Sequence, residues 1–391
     1  MKLKTKVLLA LPDLECLGVQ QDVKTLLRYW DRTKYDVRML LNSRSGNFAD
    51  QFPISMRSFE ADKNLLNIPK LRVLLRVINY FFIVKKFKPD VIISFVPLSN
   101  YYCFLIKYIF KLKFKLVLSE HAHVSAALLD NQNTDNLFMK IYRKTLKYVY
   151  NSNKVDFILC IAEESLQDLK ECHEIKPQKL ILINNPISID EIIKKSKEEV
   201  KEEWFSKILK KKIPILITVG RLKSQKRHDR LIKVFSIVRE KINAKLIIVG
   251  PGSQTELIKL SNNLGIGKDI NFVGFQSNPY KWVAKSSLFV LTSDWEGLPC
   301  VLAESMVLGV PVISADCPSG PKEMLLNGEL GWLFEKEDID SCANTIIEVL
   351  KNEKERENKV LEAKKSTRRY EPKYITRKYE RLVDNLTKNS N

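Results

Sequence analysis

At 391 residues the chain is longer than one hydrophobic core usually organises, so two domains of somewhat under roughly 200 residues each, with a cleft between them, are expected. A composition of 45% hydrophobic and 28% charged residues is that of a folded soluble protein, and no Pro, Gly, Gln or Ser tract marks long disorder. The net charge of +19 points to a polyanionic partner, but without a zinc-finger or RRM signature nucleic acid is not the expected one.

The chain opens with basic residues ahead of a short apolar run, 7–11, that ends at Asp13 and Glu15. The run is too short for a signal-peptide core and reads as a first buried strand. Further candidate strands follow at 35–41, 90–95, 115–120, 156–162 and 179–184, separated by longer helical patterns, which is the rhythm of βαβ units and a parallel sheet. Gly18 stands in the loop after the first strand, and Ser119, Glu120 and His121 stand at the end of the strand 115–120. Between Lys63 and Lys115 there are eleven basic residues against one acid, Asp90, interleaved with Val73, Leu74, Phe81, Phe82, Tyr101, Tyr108 and Phe110. That mixture suits an anionic lipid surface; the alternative is ordinary helix cores with a solvated lysine face. No run reaches about 18 consecutive apolar residues, so any membrane contact is expected to be peripheral.

A lysine-rich stretch at 194–212 reads as an interdomain linker with a short helix, and the boundary is placed near residue 190. A second series of strands follows at 214–220, 245–250, 270–275, 288–293, 311–316 and 331–334. The expected fold is α/β, with two doubly wound parallel-sheet domains, 1–190 and 191–370, facing a central cleft. The remainder, 371–391, is helical after Pro372 and is expected to pack back on the first domain. Seven scattered cysteines, odd in number and without a C-x-x-C pair, indicate a reducing compartment.

Ligands of such sheets bind outside the carboxyl ends of the strands. After the strand 214–220 come Arg221 and Lys226, two cations in one loop, suited to a diphosphate. After the strand 288–293 comes Glu296-Gly297-Leu298-Pro299, then a helix with Pro299 in its first turn and Glu304 inside it. A helix start offers N–H groups and a positive dipole end to a phosphate, while flanking carboxylates accept from sugar hydroxyls. The single D-x-D, Asp338-Ile339-Asp340, reads as a helix N-cap, so no metal site is expected. His228 reads as structural, and His123 and His173 carry no functional reading.

Taken in order, Gly220-Arg221 with Lys226, Val249-Gly250-Pro251-Gly252, Val273-Gly274-Phe275, and Glu296-Gly297-Leu298-Pro299 through Glu304 to Gly309-Val310-Pro311-Val312 resemble the retaining glycosyltransferases of family 4, which have the GT-B fold. The likeness is close over 214–334 and looser elsewhere, through Gly18, Ser119-Glu120-His121 and Asn185-Pro186. It implies that Arg221 and Lys226 bind the donor diphosphate, that Glu304 holds the ribose hydroxyls, and that Glu296 contacts the donor sugar. Backbone amides near Gly297, Leu298 and Pro299 would face the distal phosphate, and Phe275 with Gly250 would lie at the base. His121 matches a histidine that reaches the transferred sugar, and Gly18 would let the first loop pass close to the phosphates, although many members carry two glycines there. Arg227 follows Lys226 where glycine is common, and adds charge beside the diphosphate.

Asn278-Pro279-Tyr280-Lys281-Trp282 and the stretch from Asp316 through Cys317-Pro318-Ser319-Gly320-Pro321 to Glu323 resemble a subgroup of bacterial surface-polysaccharide and lipid-linked oligosaccharide transferases, several of which transfer N-acetylgalactosamine. The resemblance therefore implies transfer of an N-acetylhexosamine or another hexose from a UDP-sugar, without metal or other cofactor, to a polyprenyl-diphosphate-linked or other surface-glycan acceptor in lipopolysaccharide, O-antigen or related synthesis. The acceptor would bind the domain 1–190 and the nucleotide sugar the domain 191–370. The enzyme is expected in the cytoplasm, held peripherally to the inner membrane face through 63–115. The alternatives are a sugar-nucleotide epimerase of the same fold, or a basic membrane- or nucleic-acid-binding module without catalysis.

Overall fold

A computed structural model describes residues 3–15, 18–46, 52, 58–62, 69–129 and 137–388; Cys16, Leu17 and Lys63 lie outside them. The chain divides into two compact units, Met1–Pro186 with Pro372–Asn391, and Ile187–Glu371.

The first unit is a seven-stranded parallel sheet in the order β3-β2-β1-β4-β5-β6-β7. Its strands are β1 (Thr5–Leu11), β2 (Tyr35–Leu41), β3 (Ser58–Glu60), β4 (Val91–Phe95), β5 (Lys115–Glu120), β6 (Phe157–Cys160) and β7 (Leu180–Leu182). Every residue of β4, Val-Ile-Ile-Ser-Phe, is buried, because helices cover both faces of such a sheet and its strands read as unbroken apolar runs. The helices are α1 (Gly18–Tyr29), α2 (Pro69–Phe87), α3 (Pro97–Ile109), α4 (Val124–Leu129), α5 (Leu137–Asn151) and α6 (Glu163–Glu171). Six of the seven strands coincide with the expected runs. The exception, β3, is a three-residue edge strand beside β2, too short to produce an alternation or an apolar run.

The second unit holds a six-stranded parallel sheet in the order β10-β9-β8-β11-β12-β13. Its strands, all at expected positions, are β8 (Ile215–Val219), β9 (Lys245–Val249), β10 (Ile270–Gly274), β11 (Leu288–Leu291), β12 (Val312–Asp316) and β13 (Trp332–Glu335). The helices are α7 (Ile189–Ser196), α8 (Glu203–Lys210), α9 (His228–Lys241), α10 (Thr255–Asn263), α11 (Tyr280–Val283), α12 (Cys300–Val307), α13 (Pro321–Met324), α14 (Ile339–Lys351) and α15 (Glu353–Ser366). The segment 194–212 is not a linker: it lies within this unit. Phe205 and Ile208 of α8 are buried, the Trp204 ring stacks on Trp282 at 5.7 Å, and the Phe205 ring meets Trp282 edge-on at 4.9 Å. The lysines on the opposite face of α8 gave the segment its linker-like composition.

The closing helix α16 (Pro372–Lys388) belongs to the first unit. Glu380 accepts from the Asp31 amide at 2.8 Å, Tyr35 donates to Asp384 at 2.6 Å, and Trp30 lies between the Tyr35 and Tyr379 rings. No described helix is long and apolar enough to cross a membrane.

In both sheets the first strand is central, and the winding reverses beside it, between β1 and β4 and between β8 and β11. Loops that leave the carboxyl ends of two adjacent strands diverge at such a point and leave a crevice.

Candidate active site

In the second unit the loops after β8 and β11 are fastened to each other across this reversal. The Asp294 amide donates to the Gln225 carbonyl at 2.9 Å, Gln225 Nε2 donates to the Trp295 carbonyl at 2.9 Å, and the Thr292 hydroxyl is 3.1 Å from the carbonyls of Lys226 and Arg227. Arg227 has φ of 48° and ψ of 47°, the left-handed region where a side chain costs about 1–2 kcal/mol and glycine does not. Its guanidinium pairs with Asp229 at 3.0 Å and Asp294 at 3.2 Å, so the charge it adds beside Lys226 is shared with two carboxylates. Arg230, almost fully buried, reaches the Thr292 carbonyl and Asp294 at 2.8 Å and Glu337 at 3.1 Å. It anchors the loop from beneath.

Those fastenings bring two of the expected residues into contact. Lys226 Nζ lies 2.6 Å from Glu296 Oε1, and the Ser293 hydroxyl donates to the same oxygen at 2.6 Å. Glu296 is buried and Lys226 half-buried, so the pair is little screened and each charge depends on the other. Arg221, in contrast, is exposed and makes no ion pair among the described residues.

The segment 296–299 is held from outside by the loop after β12. The Glu296 amide donates to the Pro318 carbonyl at 3.0 Å and the Ser319 hydroxyl to the Gly297 carbonyl at 3.0 Å. Gly320 has φ of 83°, and a Cβ there would stand 2.2 Å from the Gly297 oxygen. The stretch 316–320 thus has a physical task that turn chemistry alone did not reveal. Pro299 is the N-cap of α12 rather than a residue of its first turn, and lacking an N–H it leaves donation to Gly297, Leu298 and the first turn of the helix.

Glu304 lies inside α12, where its Oε1 accepts from the Tyr280 hydroxyl at 3.2 Å. Burial pushes the carboxyl up to about 7, against the pull of Tyr280 and Lys195. Tyr280 therefore joins the site, and its apparent role as a turn residue concealed it. Gly250 has φ of 151°, and a Cβ there would stand 1.8 Å from the Gly220 oxygen, so only glycine lets the ends of β8 and β9 lie side by side. Phe275, just beyond β10, is 42% exposed.

Two expected residues lie in the first unit. His121 follows β5, with Nε2 2.9 Å from the Ser119 hydroxyl and the ring 5.7 Å from that of Phe95. Its Nδ1 is buried and has no partner, and burial pushes the imidazole down to about 4, so it is neutral at neutral pH. Gly18 opens α1 and is exposed, with nothing within 4 Å of a Cβ placed there. His228 in the second unit is buried 3.3 Å from the Arg221 carbonyl, and Asp338 caps α14 by accepting from the Ser341 amide at 2.8 Å. Both are structural, in line with the sequence.

The family model described as glycosyl transferases group 1 matches residues 200–366, and that of glycosyltransferase family 4 matches residues 18–191. An uncharacterized glycosyltransferase of Methanocaldococcus jannaschii is 33% identical over 275 residues, which cover 68% of this chain and 65% of the relative. The N-acetylgalactosamine-N,N'-diacetylbacillosaminyl-diphospho-undecaprenol 4-alpha-N-acetylgalactosaminyltransferase of Campylobacter jejuni is 28% identical over 317 residues, 79% of this chain and 82% of the relative. Among solved structures, Anabaena HepE in complex with UDP and glucose superposes with a TM-score of 0.78 at 15% identity, covering 97% of this chain and all of that one. At that identity the likeness concerns the fold.

Proposed function

Since the chain belongs to the family 4-like glycosyltransferases of GT-B fold, we propose that it is a retaining transferase that moves a sugar from a UDP-sugar to a polyprenyl-diphosphate-linked or other surface-glycan acceptor. The sugar we propose is an N-acetylhexosamine, N-acetylgalactosamine being the candidate offered by the Campylobacter relative's name. The observation that carries the reading is the contact of Lys226, Glu296 and Ser293 where the second sheet reverses its winding, at the start of α12.

Breaking a sugar–phosphate bond leaves an oxocarbenium-like sugar and a diphosphate with new negative charge. Fixed cations and a helix N-terminus aimed at that charge stabilise it with little reorganisation. In this reading Arg221 and Lys226 take the diphosphate, the amides of Gly297 and Leu298 with the first turn of α12 take the distal phosphate, and no metal is required. Glu296 contacts the sugar, Glu304 takes the ribose hydroxyls, and Gly250 and Phe275 border the base. His121, neutral and with Nδ1 unsatisfied, contacts the transferred sugar as donor or acceptor. Gly18 leaves room beside the phosphates.

The acceptor is proposed to be met at the inner face of the cytoplasmic membrane. Phe82 of α2, Ile109 of α3 and Tyr148 of α5 are each more than half exposed. Phe82, Phe81 and Phe110 form one chain of rings, and Tyr108, Phe104 and Tyr148 a second. Exposed Lys85, Lys111, Lys113 and Lys144 lie on the same helices or just beyond them, a mixture that fits anionic headgroups.

The test is a panel of UDP-, GDP- and ADP-sugars incubated with membrane lipid extract and EDTA. One UDP-sugar should be consumed and its sugar recovered on lipid, with kcat/KM falling by roughly 10²–10³ in Lys226→Ala and Glu296→Gln while both variants stay folded. Consumption of no nucleotide sugar, or full activity in both variants, sinks the reading.

A further inference from the structure

Beside His121 the first unit carries a carboxylate that the proposed reaction does not use. Glu120, the last residue of β5, is only 3% exposed. Its Oε2 accepts from the Tyr150 hydroxyl at 2.7 Å, and the nearby backbone N–H groups of His121 and Ala122 favour its charged form. The other titratable groups facing it are Tyr101 of α3, Tyr142 of α5, Cys160 of β6 and Asp168 of α6. No described cation pairs with it.

The far end of the same loop is held in a similar way. Asp168 accepts from the Ser125 amide at 3.0 Å and lies 3.5 Å from His123 Nδ1 and 3.8 Å from His173 Nε2. The Ser125 hydroxyl is 3.1 Å from His173, and the Ala126 amide donates to His123 Nδ1 at 3.3 Å. Residues 121–126 thus run between two buried carboxylates, of which Glu120 is the one adjoining His121.

We infer that Glu120 is a positioning residue, whose carboxylate, steadied by Tyr150, fixes the peptide that carries His121 and so the direction of its unsatisfied Nδ1. The inference rests on the proposed role of His121. Its chemistry is that of an acceptor beside donors: the Tyr150 hydroxyl donates to the carboxylate and the two nearby peptide N–H groups favour its charge. A protonated carboxyl donates as well as accepts and attracts peptide N–H groups less than the charged form, so protonation changes its hold on Tyr150 and on the peptide of His121. Burial pushes Glu120 up to about 7, which places this change in the neutral range, where His121 itself does not titrate.

The experiment follows the imidazole NMR signals of the four histidines from pH 5.5 to 8.5, together with kcat and donor KM. In the unaltered enzyme the His121 signal should shift with a midpoint near 7, borrowed from Glu120. Glu120→Gln should abolish that midpoint and lower kcat at pH 8 by roughly tenfold or more, as misplacement of a reacting group does, with donor KM within about twofold. Tyr150→Phe removes a donor that favours the charged form, so it should raise the midpoint; it also serves if Glu120→Gln fails to fold. A His121 signal with the same pH response in Glu120→Gln, or an unmoved midpoint in Tyr150→Phe, overturns the inference. A His121→Ala enzyme that transfers at the normal rate would remove the role of His121, while the NMR arm still decides whether Glu120 holds it. If His121→Ala is inactive and Glu120→Gln is fully active, only the positioning role fails.

Discussion

Among single residues, Glu304 carries the sharpest consequence for donor binding. Both hydroxyls of a ribose donate best to an ionised carboxylate, yet burial leaves this carboxyl half-protonated at about pH 7. Above 7 the charged form dominates and accepts from two hydroxyls; below it a proton occupies one of the accepting oxygens. Donor KM should therefore rise as pH falls from 8 to 6, and Glu304→Gln should give a weaker donor KM that is flat over the same range. Steady-state kinetics at saturating acceptor decides the matter, and a wild-type KM independent of pH would remove Glu304 from the ribose. The carboxylate itself was visible in the sequence because it falls inside a helix that follows a strand and Glu-Gly-Leu-Pro. Tyr280, which sets its surroundings, was not visible, since its contact with Glu304 joins separate helices and leaves no local spacing. Arg227 shows the same limit: its sequence gives its charge, but not that Asp229 and Asp294 share it.

Elements place these side chains, and the loop after β12 supplies a clean test of how. Gly320→Ala and Gly328→Ala both put a side chain at positive φ, 83° and 98° respectively, but a Cβ at Gly328 meets nothing within 4 Å, whereas at Gly320 it stands 2.2 Å from the Gly297 oxygen. Each substitution should lower stability through its positive φ, which favours glycine, read from urea midpoints. Only Gly320→Ala must also displace residues 297–299, so only it should weaken donor binding, by roughly tenfold or more by isothermal titration. Equal donor affinities in the two variants would show that the loop after β12 does not set the site. The strands of both sheets were legible because burial on both faces makes them continuous apolar runs, and β3 escaped because three residues at a sheet edge make no pattern. The segment 194–212 was misread for another reason. Lysine density advertised a linker, while Trp204, Phe205 and Ile208 on one side of α8 carried the packing against Trp282.

Across the whole molecule, each unit contains one carboxyl raised by burial, and burial lowers two histidines in the first unit and one in the second. The groups are Glu120 with His121 and His173 in the first unit, and Glu304 with His228 in the second; the carboxyls are pushed up to about 7, the imidazoles of His121 and His228 down to about 4, and that of His173 is lowered as well. The two kinds of group act on stability with opposite sign. A raised carboxyl favours the folded state below its unfolded value near 4.5, and this contribution is lost as pH rises through about 7. A lowered histidine favours the folded state above its unfolded value near 6.5, and this contribution is lost as pH falls through about 4. Between about pH 4.5 and 6.5 the folded second unit binds one proton more at the carboxyl and one fewer at the imidazole, so these contributions to the slope cancel there, whereas in the first unit the lowered His173 adds to His121. Removing one partner should expose the other. In Glu304→Gln the second unit loses its extra bound proton, the unfolded state then holds one proton more than the folded, and stability should climb by about 1.4 kcal/mol per pH unit over that window. Asp62, Asp229 and Asp269, held below the ordinary carboxylate range by their Arg and Lys partners, titrate below the window. Urea denaturation followed by tryptophan fluorescence suits this unit, because Trp204, Trp282, Trp295 and Trp332 lie in it while Trp30 lies in the other. A nearly level profile for the second unit of the unaltered chain with a rising one for Glu304→Gln would establish the balance; parallel profiles would mean that Glu304 titrates near its ordinary value and that the pH dependence expected of donor binding has no source in it.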